Sequence, residues 1–357
     1  VRYDRVHLEA IYLMDSILNK IQMGIATHNT QRTYLFIGLA NSKKQNLKII
    51  HNCGKFAAKY QSEIVLVSKF EPDPELQTIT CLNIKQKNIE IRDMDKNSLH
   101  NKIVAFLRII SKNHDKQNAK FLHLIRTDKP EAILISAAFL SQSELEFNVA
   151  SIRGAISSSK FLRYLKYYIK DLYPGKTSLE SFVRIALLRE YRGHDFLFAP
   201  VGIDEASSVS EKEVFIDNAI WMLNILQVKP QVALLSGGRI SDLGRDEHVD
   251  MTIKQASELE RIYREKHQGT HVYDCQILIE RAIEGEAKMI VAPDGISGNL
   301  IYRTLVHLGG GQAFGALYSK IYFDFSVVLI DCSRNGNETE IYGSLMLAKY
   351  FSENKKE

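Results

Sequence analysis

The segment 288–311 changes its hydrophobic period halfway along, and this change restricts the folds open to the chain. Residues 289–292 form a short apolar run of the kind found in strands buried on both faces. Residues 293–298 include two glycines and cannot extend a strand ladder. From Leu300 the apolar residues recur at helical spacing, and the glycines at 309–311 end that helix. The segment predicts a strand, a glycine turn and a helix, the repeating unit of an α/β fold.

The same rhythm recurs along the chain. Strands are predicted at 33–37 and 63–67 around a helix that ends near Tyr60, and this order favours a parallel sheet. Adjacent strands are predicted at 182–188 and 195–199, and a helix at about 273–284. Ser210 with Glu213 predicts a capping box at the start of a helix. Ser297 and Asn299 are candidate N-caps of the helix that follows the glycine turn.

The length of 357 residues accommodates two domains of ordinary size. We expect a first α/β domain at 1–175, completed by 322–357, and a second at 176–321. The composition, 45% hydrophobic and 25% charged, is that of a soluble globular protein. No apolar run reaches the ~18 residues of a membrane helix, and the first residues lack the features of a signal peptide. We therefore expect a cytoplasmic protein with no membrane partner.

The charge and the metal-binding residue types exclude two further classes of partner. The formal net charge is +4, and the basic residues are dispersed, so we expect no nucleic-acid partner. The cysteines at 53, 81, 275 and 332 show no Cys-x-x-Cys spacing, and the eleven histidines show no metal-ligand spacing. We interpret the cysteines as buried thiols and predict no metal site.

Four loops follow predicted strands and precede helices, and three of them contain arginine. Their arginines are Arg153, Arg239, Arg245 and Arg334. In a parallel sheet such loops open on one edge, so these guanidinium groups could converge on a phosphate or carboxylate. The alternative is that each arginine pairs with a nearby aspartate, which would be Asp246 for Arg245, Asp242 for Arg239 and Asp331 for Arg334.

Two acidic positions are also open to two interpretations. Asp204 and Glu205 form either a general base or a solvated pair of acids. Glu340 is either an active-site acid or half of a capping pair with Asn337.

Several segments resemble known families. Residues 151–159, 199–205 and 235–246 resemble the MtxX proteins of methanogenic archaea, also called methanogenesis marker protein 4 and described as methyltransferase-related. Residues 293–311 and 331–336 resemble the C-terminal half of the phosphate acetyl/butyryl transferases. The resemblance covers about residues 145–350. It implies two parallel-sheet α/β domains of the isocitrate-dehydrogenase-like type with a cleft between them, and a homodimer.

The resemblance also implies roles for particular residues. In the acyltransferases a Ser-Arg pair and an acid seven residues after the serine act on the acyl phosphate and the coenzyme A thiol. The matching residues here are Ser333, Arg334 and Glu340, with glutamate in place of the family's aspartate. Coenzyme A is thereby a candidate cofactor. The acyltransferase Ser-x-Ser-Thr-Lys-Gly loop is replaced by residues 236–241, so its coenzyme A contacts do not transfer.

Three functions remain open from the sequence. The first is a methanogenesis-associated transferase that binds a phosphorylated or anionic ligand, with acyl-phosphate chemistry as the reaction. The second is a methyltransferase or an accessory subunit with methyltransferase partners, and the third is a non-catalytic sensor or assembly subunit. The predicted catalytic residues are Ser333, Arg334, Glu340 and Asp204. The predicted ligand-binding residues are Arg153, Ser236, Gly237, Gly238, Arg239, Asp294, Gly298 and Asn299.

Overall fold

The fold is taken from a computed structural model of the chain, which describes residues 16–27, 32–40, 42–69, 80–84, 96–113, 121–140, 147–173, 182–266 and 270–354. The elements up to residue 173 are α1 Ile17–Thr27, β1 Arg32–Gly38, α2 Lys43–Tyr60, β2 Glu63–Ser68, β3 Thr80–Ile84, α3 Lys96–Asn113, β4 Leu122–Thr127, α4 Pro130–Phe139, β5 Phe147–Ile152 and α5 Ser158–Leu172. The later elements are β6 Arg184–Arg189, β7 Asp195–Ala199, α6 Val209–Ile225, β8 Gln231–Leu234, α7 Glu247–Lys266, β9 His271–Asp274, α8 Ile279–Glu284, β10 Met289–Val291, α9 Gly295–His307, β11 Gln312–Tyr318, α10 Ser319–Phe325, β12 Leu329–Asp331 and α11 Glu338–Glu353.

The first of two compact units comprises Ile25–Glu180 and Ile321–Glu357. Its strands lie in the order β3-β4-β2-β1-β5-β12. Each neighbouring pair is parallel. The described residues of β2 are all buried, which matches the continuous apolar run at 64–67 and the burial of parallel sheets on both faces.

The second unit comprises Val1–Gly24 and Ser181–Lys320. Its strands lie in the order β11-β6-β7-β10-β8-β9. The pairs from β7 to β9 are parallel. The pairs β11 with β6 and β6 with β7 are antiparallel. The two units confirm the predicted α/β class with mostly parallel strands. The antiparallel pairs of β6 depart from the predicted parallel sheet, and the short connection from β6 to β7 accounts for one of them.

The predicted helix at 273–284 is wrong in its first half. Residues 271–274 form strand β9, and the helix starts only at Ile279. Asp274 ends the strand, and its carboxylate accepts a hydrogen bond from the backbone N–H of Gln276 in the turn. Short apolar runs do not distinguish a strand from a helix by period, and here the pairing with β8 decides in favour of the strand.

The predicted capping residues are also displaced. The capping box of α6 joins Ser208 to Glu211, two residues before the predicted pair. The N-cap of α9 is Asp294, instead of Ser297 or Asn299. Asp294 is the first residue after strand β10 with a side-chain oxygen that can accept a hydrogen bond from the backbone N–H groups of the helix. It therefore takes the N-cap position.

Most of helix α1, from Ile17 to Gly24, groups with the second unit, whereas the sequence predicts residues 1–175 as part of the first domain. Its anchor is the buried carboxylate of Asp195 at the start of β7. Asp195 accepts hydrogen bonds from the Ser16 hydroxyl at 2.6 Å and from the backbone N–H groups of Ile17 and Leu18, each at 3.1 Å. Arg189 adds an ion pair at 3.1 Å. One acidic side chain therefore caps α1 and attaches it to the sheet.

Within the described ranges, no helix is long and apolar enough to cross a membrane.

We expect Asp195→Asn to lower the free energy of unfolding by about 2–4 kcal/mol, because it removes a charged acceptor from several buried donors. Urea unfolding would measure the loss, and hydrogen exchange would show α1 opening first. Asp204→Asn is the matched control, since Asp204 is exposed. Equal stability of the two variants would contradict the anchoring role of Asp195.

Candidate functional site

Three adjacent parallel strands of the first unit, β1, β5 and β12, end at one edge of the sheet. The loops that follow them lead into α2, α5 and α11. The first two loops pack closely, because the Ala155 N–H donates to the Gly38 carbonyl oxygen at 3.0 Å. A side chain on Gly38 would come within 2.6 Å of the Arg153 carbonyl oxygen. Glycine is therefore required at position 38 by packing.

The Arg153 side chain connects the loops after β5 and β12 through buried contacts. It is 5% exposed, and its Nε forms an ion pair with the Asp331 carboxylate. Its two terminal nitrogens donate to the carbonyl oxygens of Ile156 and Cys332. The structure thus gives Arg153 internal partners in place of the predicted contact with a ligand. Asp331, predicted as a partner of Arg334, pairs with Arg153 instead, because both lie at neighbouring strand ends.

Glu340 holds the loop after β12. Its carboxylate accepts from the Ser333 backbone N–H at 2.6 Å, and the Ser333 side chain also interacts with it. The backbone N–H of Glu340 in turn donates to the Asn337 side chain, the N-cap of α11, at 2.8 Å. The contact between Asn337 and Glu340 that the capping interpretation predicts is present, while the Glu340 carboxyl faces Ser333 instead of the N-cap backbone. Burial raises the pKa of Glu340, against the opposing effect of the Ser333 hydrogen bonds.

Arg334 is exposed, next to the half-buried Ser333. Within the part of the chain that the structure describes, its guanidinium has no carboxylate partner, in contrast to the predicted pair with Asp331. The loop is fixed behind it by Gln45 and Lys48 of α2, which donate to the Gly336 carbonyl oxygen at 3.3 and 3.4 Å. Arg334 thus projects from a backbone that is held on two sides.

The beginnings of α2 and α5 lie beside this loop and lack acidic residues in their first turns. Their N-caps are Ser42 and Ser157. Ser42 caps its helix, whereas the Ser157 side chain makes no capping hydrogen bond. The first turn of α11 differs, because it carries Glu338 and Glu340. Among the helix starts of this edge, those of α2 and α5 are suited to an anion.

The residues predicted from the segment 293–299 lie in the second unit and serve its packing. A side chain on Gly298 would come within 2.1 Å of the Pro200 carbonyl oxygen. Asn299 donates to the Val201 carbonyl oxygen at 2.9 Å. Asp294 accepts from the Ser297 backbone N–H at 2.8 Å and lies 3.4 Å from His248 Nε2. Burial acts to raise the pKa of Asp294, but these hydrogen bonds outweigh it and lower the pKa.

The loop after β8 is held by its own residues. The hydroxyl of Ser236 donates to the Gly238 carbonyl oxygen at 2.9 Å, and the Gly237 N–H donates to Thr252 at 2.8 Å. The backbone N–H of exposed Arg239 donates to Asp242 at 2.9 Å.

Arg239 contacts Asp242, the acid predicted as its partner, through its backbone N–H, and its charge also acts on that carboxylate. Arg245 pairs with Asp242 at 2.7 Å, and not with Asp246. This i,i+3 contact arises because a short helical turn at 240–242 brings the two side chains together.

Asp204 and Glu205 separate into two environments. Asp204 is exposed, as the solvated interpretation predicts. Glu205 is 4% exposed and forms an ion pair with Arg184 at 2.9 Å. It also accepts from the Gly202 N–H at 2.8 Å, so it is a structural acid of the 200–205 loop.

Lys212 is a buried residue that the sequence analysis does not single out. It lies in the first helical turns of α6, is 3% exposed, and donates to the Gln255 side chain at 2.6 Å. Burial lowers its pKa to about 8, although the charges of Asp294 and Glu211 act in the opposite direction. A lysine beside a capping glutamate looks like part of a solvated helix face, so only the fold shows that it is buried.

The predicted residues therefore fall into two groups. Arg153, Ser333, Arg334 and Glu340 lie together in the first unit, and the remaining eight lie in the second unit, on loops or in the first turns of α9. Among the described residues, no group of three or more His, Cys, Asp or Glu side chains is placed to hold a metal ion.

Comparison with known proteins identifies the family. The chain is 38% identical to methyltransferase mtx subunit X of Methanosarcina barkeri over 248 residues, which cover 70% of this chain and 83% of that protein. It is 36% identical to the Methanosarcina mazei protein of the same name over 236 residues, which cover 66% and 76% of the two chains. The chain belongs to the methyltransferase mtx subunit X (MtxX) family. No family model matches it.

Solved structures show the wider fold relationship of this MtxX family member. A branched-chain phosphotransacylase from Enterococcus faecalis aligns with a TM-score of 0.57 at 15% identity and covers 90% of this chain and 99% of that one. A phosphotransacetylase from Staphylococcus aureus aligns with a TM-score of 0.56 at 13% identity and covers 94% and 98%. These similarities confirm the acyltransferase-like fold that the sequence resemblance implied.

We expect Glu340→Ala to cost about 1–3 kcal/mol of unfolding free energy, because the Ser333 N–H loses a charged acceptor. Glu340→Gln keeps an acceptor and removes the ionisable carboxyl. Since the folded protein disfavours the ionised carboxyl, wild type should lose stability relative to this variant as pH rises through the raised pKa, and the two should converge below about pH 4.

Chemical denaturation over a pH series would measure both effects. Glu338→Ala is the matched control, because Glu338 is exposed in the same helical turn. A Glu340→Ala variant as stable as this control would contradict the loop-holding role.

Proposed function

We propose that this MtxX family member binds a phosphorylated or otherwise anionic ligand at the edge of the first unit formed by β1, β5 and β12. The observation that supports this most is the exposed Arg334, held beside Ser333 on a loop whose acidic side chains are already engaged internally. Asp331 pairs with Arg153, and Glu340 accepts from Ser333. Neither acid is therefore available to neutralise Arg334.

The neighbouring groups favour the same class of ligand. Lys44 is exposed in the first turn of α2, and the exposed Lys160 lies in the first turn of α5. Two helix starts without acids add partial positive charge at the same edge. An oxyanion would be bound by a planar guanidinium, which can donate two hydrogen bonds to it, and by backbone N–H groups.

Acyl-phosphate chemistry is the reaction that this arrangement supports best. Arg334 would bind the phosphate and hold the charge that develops as it leaves. A thiol would attack the acyl carbon, the bond from carbon to the phosphate oxygen would break, and the thiol proton would pass to Glu340 through Ser333. The raised pKa of Glu340 favours its acceptance of that proton. Coenzyme A is the thiol that the family resemblance implies.

A second function is an accessory subunit of a methyltransferase. It is favoured by the names of the relatives from Methanosarcina, which are subunits of a methyltransferase. Co-purification of a corrinoid protein with the tagged chain would support this alternative. The homodimer and the predicted roles of Asp204 and Arg239 also stay proposals.

We expect acetyl phosphate at about ten times its Kd to raise the melting temperature by roughly 2–4 °C. Arg334→Ala should remove this shift, because it deletes the exposed guanidinium, whereas Arg108→Ala should keep it. Arg108 is an exposed arginine on α3 and serves as the matched control.

Thioester formation from acetyl phosphate and coenzyme A separates an enzyme from a sensor. Loss of turnover in Ser333→Ala with retained binding supports catalysis. A melting shift that survives Arg334→Ala would refute the proposed anion site.

A further inference from the structure

We propose that the second unit holds its own binding site for a single oxyanion, a carboxylate or a phosphate, with the Lys212 ammonium as its main contact. This site does not depend on the proposed function of the first unit. It lies where β7, β10 and β8, three adjacent parallel strands, lead into α6, α9 and the loop before α7. Ligands of open α/β sheets commonly bind at such an edge.

Lys212 is a buried cation with little compensation. Its side chain is almost completely buried, and within the described residues its ammonium reaches a single acceptor, the neutral amide oxygen of Gln255 at 2.6 Å. An ammonium group has three N–H donors, and a buried charge is strongly disfavoured unless it is paired. One neutral acceptor does not balance this charge.

The nearest acids are engaged by other donors. Asp294 and Glu211 act on Lys212 only through their charge, and neither forms an ion pair with it. Asp294 accepts from the backbone and hydroxyl of Ser297 and also lies near His248. Glu211 accepts from the backbone and hydroxyl of Ser207. Both carboxylates are thereby held away from the ammonium by their capping contacts.

The position within the helices adds to the imbalance. Lys212 lies near the start of α6 and close to Asp294, the N-cap of α9. Helix starts carry partial positive charge and favour anions over cations. Burial is the cause of the depressed pKa of Lys212, and the helix starts add to the cost of a positive charge there. A negatively charged oxygen beside the ammonium would relieve both the burial cost and the repulsion.

The Gln255 side chain lies between the Lys212 ammonium and an exposed residue. Gln255, which holds the ammonium, also donates to the carbonyl oxygen of exposed Ser207 at 3.3 Å. We expect a ligand oxygen to reach Lys212 by displacing this one amide from the side of Ser207. Because a single ammonium supplies the contact, the site selects for one oxyanion and not for a particular larger molecule.

The test uses the full chain carrying Arg334→Ala, so that binding in the first unit does not contribute. Sulfate stands in for phosphate and acetate for a carboxylate, and both keep their charge between about pH 7 and about pH 9. We expect one of them to raise the melting temperature, and the added Lys212→Met change to remove the shift. Lys254→Met is the matched control, since Lys254 is exposed on α7.

A pH series distinguishes ligand binding from a structural role. The free ammonium deprotonates with a pKa of about 8, so the affinity for the anion should fall roughly tenfold between about pH 7 and about pH 9. The other titratable groups near the ammonium are the Asp294 and Glu211 carboxylates and, beside Asp294, the His248 imidazole. The lowered pKa of Asp294 keeps its charge constant over this range.

The proposal is overturned if neither anion stabilises the Arg334→Ala protein, if the shift survives Lys212→Met, or if the affinity is independent of pH. The pH series on the Arg334→Ala protein keeps the test decisive even where Lys212→Met fails to fold.

Discussion

The buried ion pair between Arg153 and Asp331 is the interaction on which the first unit depends. It joins the end of β5 to the end of β12, two positions 178 residues apart in the sequence. The chain leaves this unit after residue 180 and returns at residue 321, so the pair fixes the returning segment to the sheet. Removal of one member of such a pair leaves a buried charge, at a cost of about 3–5 kcal/mol.

The same pair determines which charges remain for a ligand. Asp331 forms an ion pair with Arg153, and the Glu340 carboxylate accepts a hydrogen bond from Ser333. The acids of the loop after β12 are therefore satisfied within the protein. Arg334 remains outside with the starts of α2 and α5. In the second unit it is a buried cation that lacks an adequate partner. The acids near Lys212 cap helices, and the Lys212 ammonium donates to the neutral side chain of Gln255.

The sequence reveals the fold better than the site, for physical reasons that particular residues show. Short apolar runs predict buried strands such as β2 and β10, and the change of hydrophobic period predicts the helix α9 that follows β10. The strand β9 was misread because four residues do not define a period. Arg153 and Glu205 were misjudged because their partners, Asp331 and Arg184, lie far away in sequence, and only the sheet order brings them together. Lys212 carried no signal at all, since its burial depends on the packing of α6 against Gln255 of α7.

The glycine at position 298 shows a second limit of prediction from sequence. Gly298 was predicted to admit a ligand, whereas the Pro200 carbonyl oxygen occupies the space that a side chain would need. A polar, glycine-rich loop after a strand can therefore reflect close packing of backbone against backbone. Function has to be argued from groups left without internal partners, and Arg334 is such a group among the described residues of the first unit.

A crystal structure of the chain grown with phosphate is the most direct test of this account. We expect phosphate density within hydrogen-bonding distance of the Arg334 guanidinium and of backbone N–H groups at the start of α2 or α5. Density for phosphate only elsewhere, with Arg334 directed into solvent or paired with a carboxylate, would contradict it.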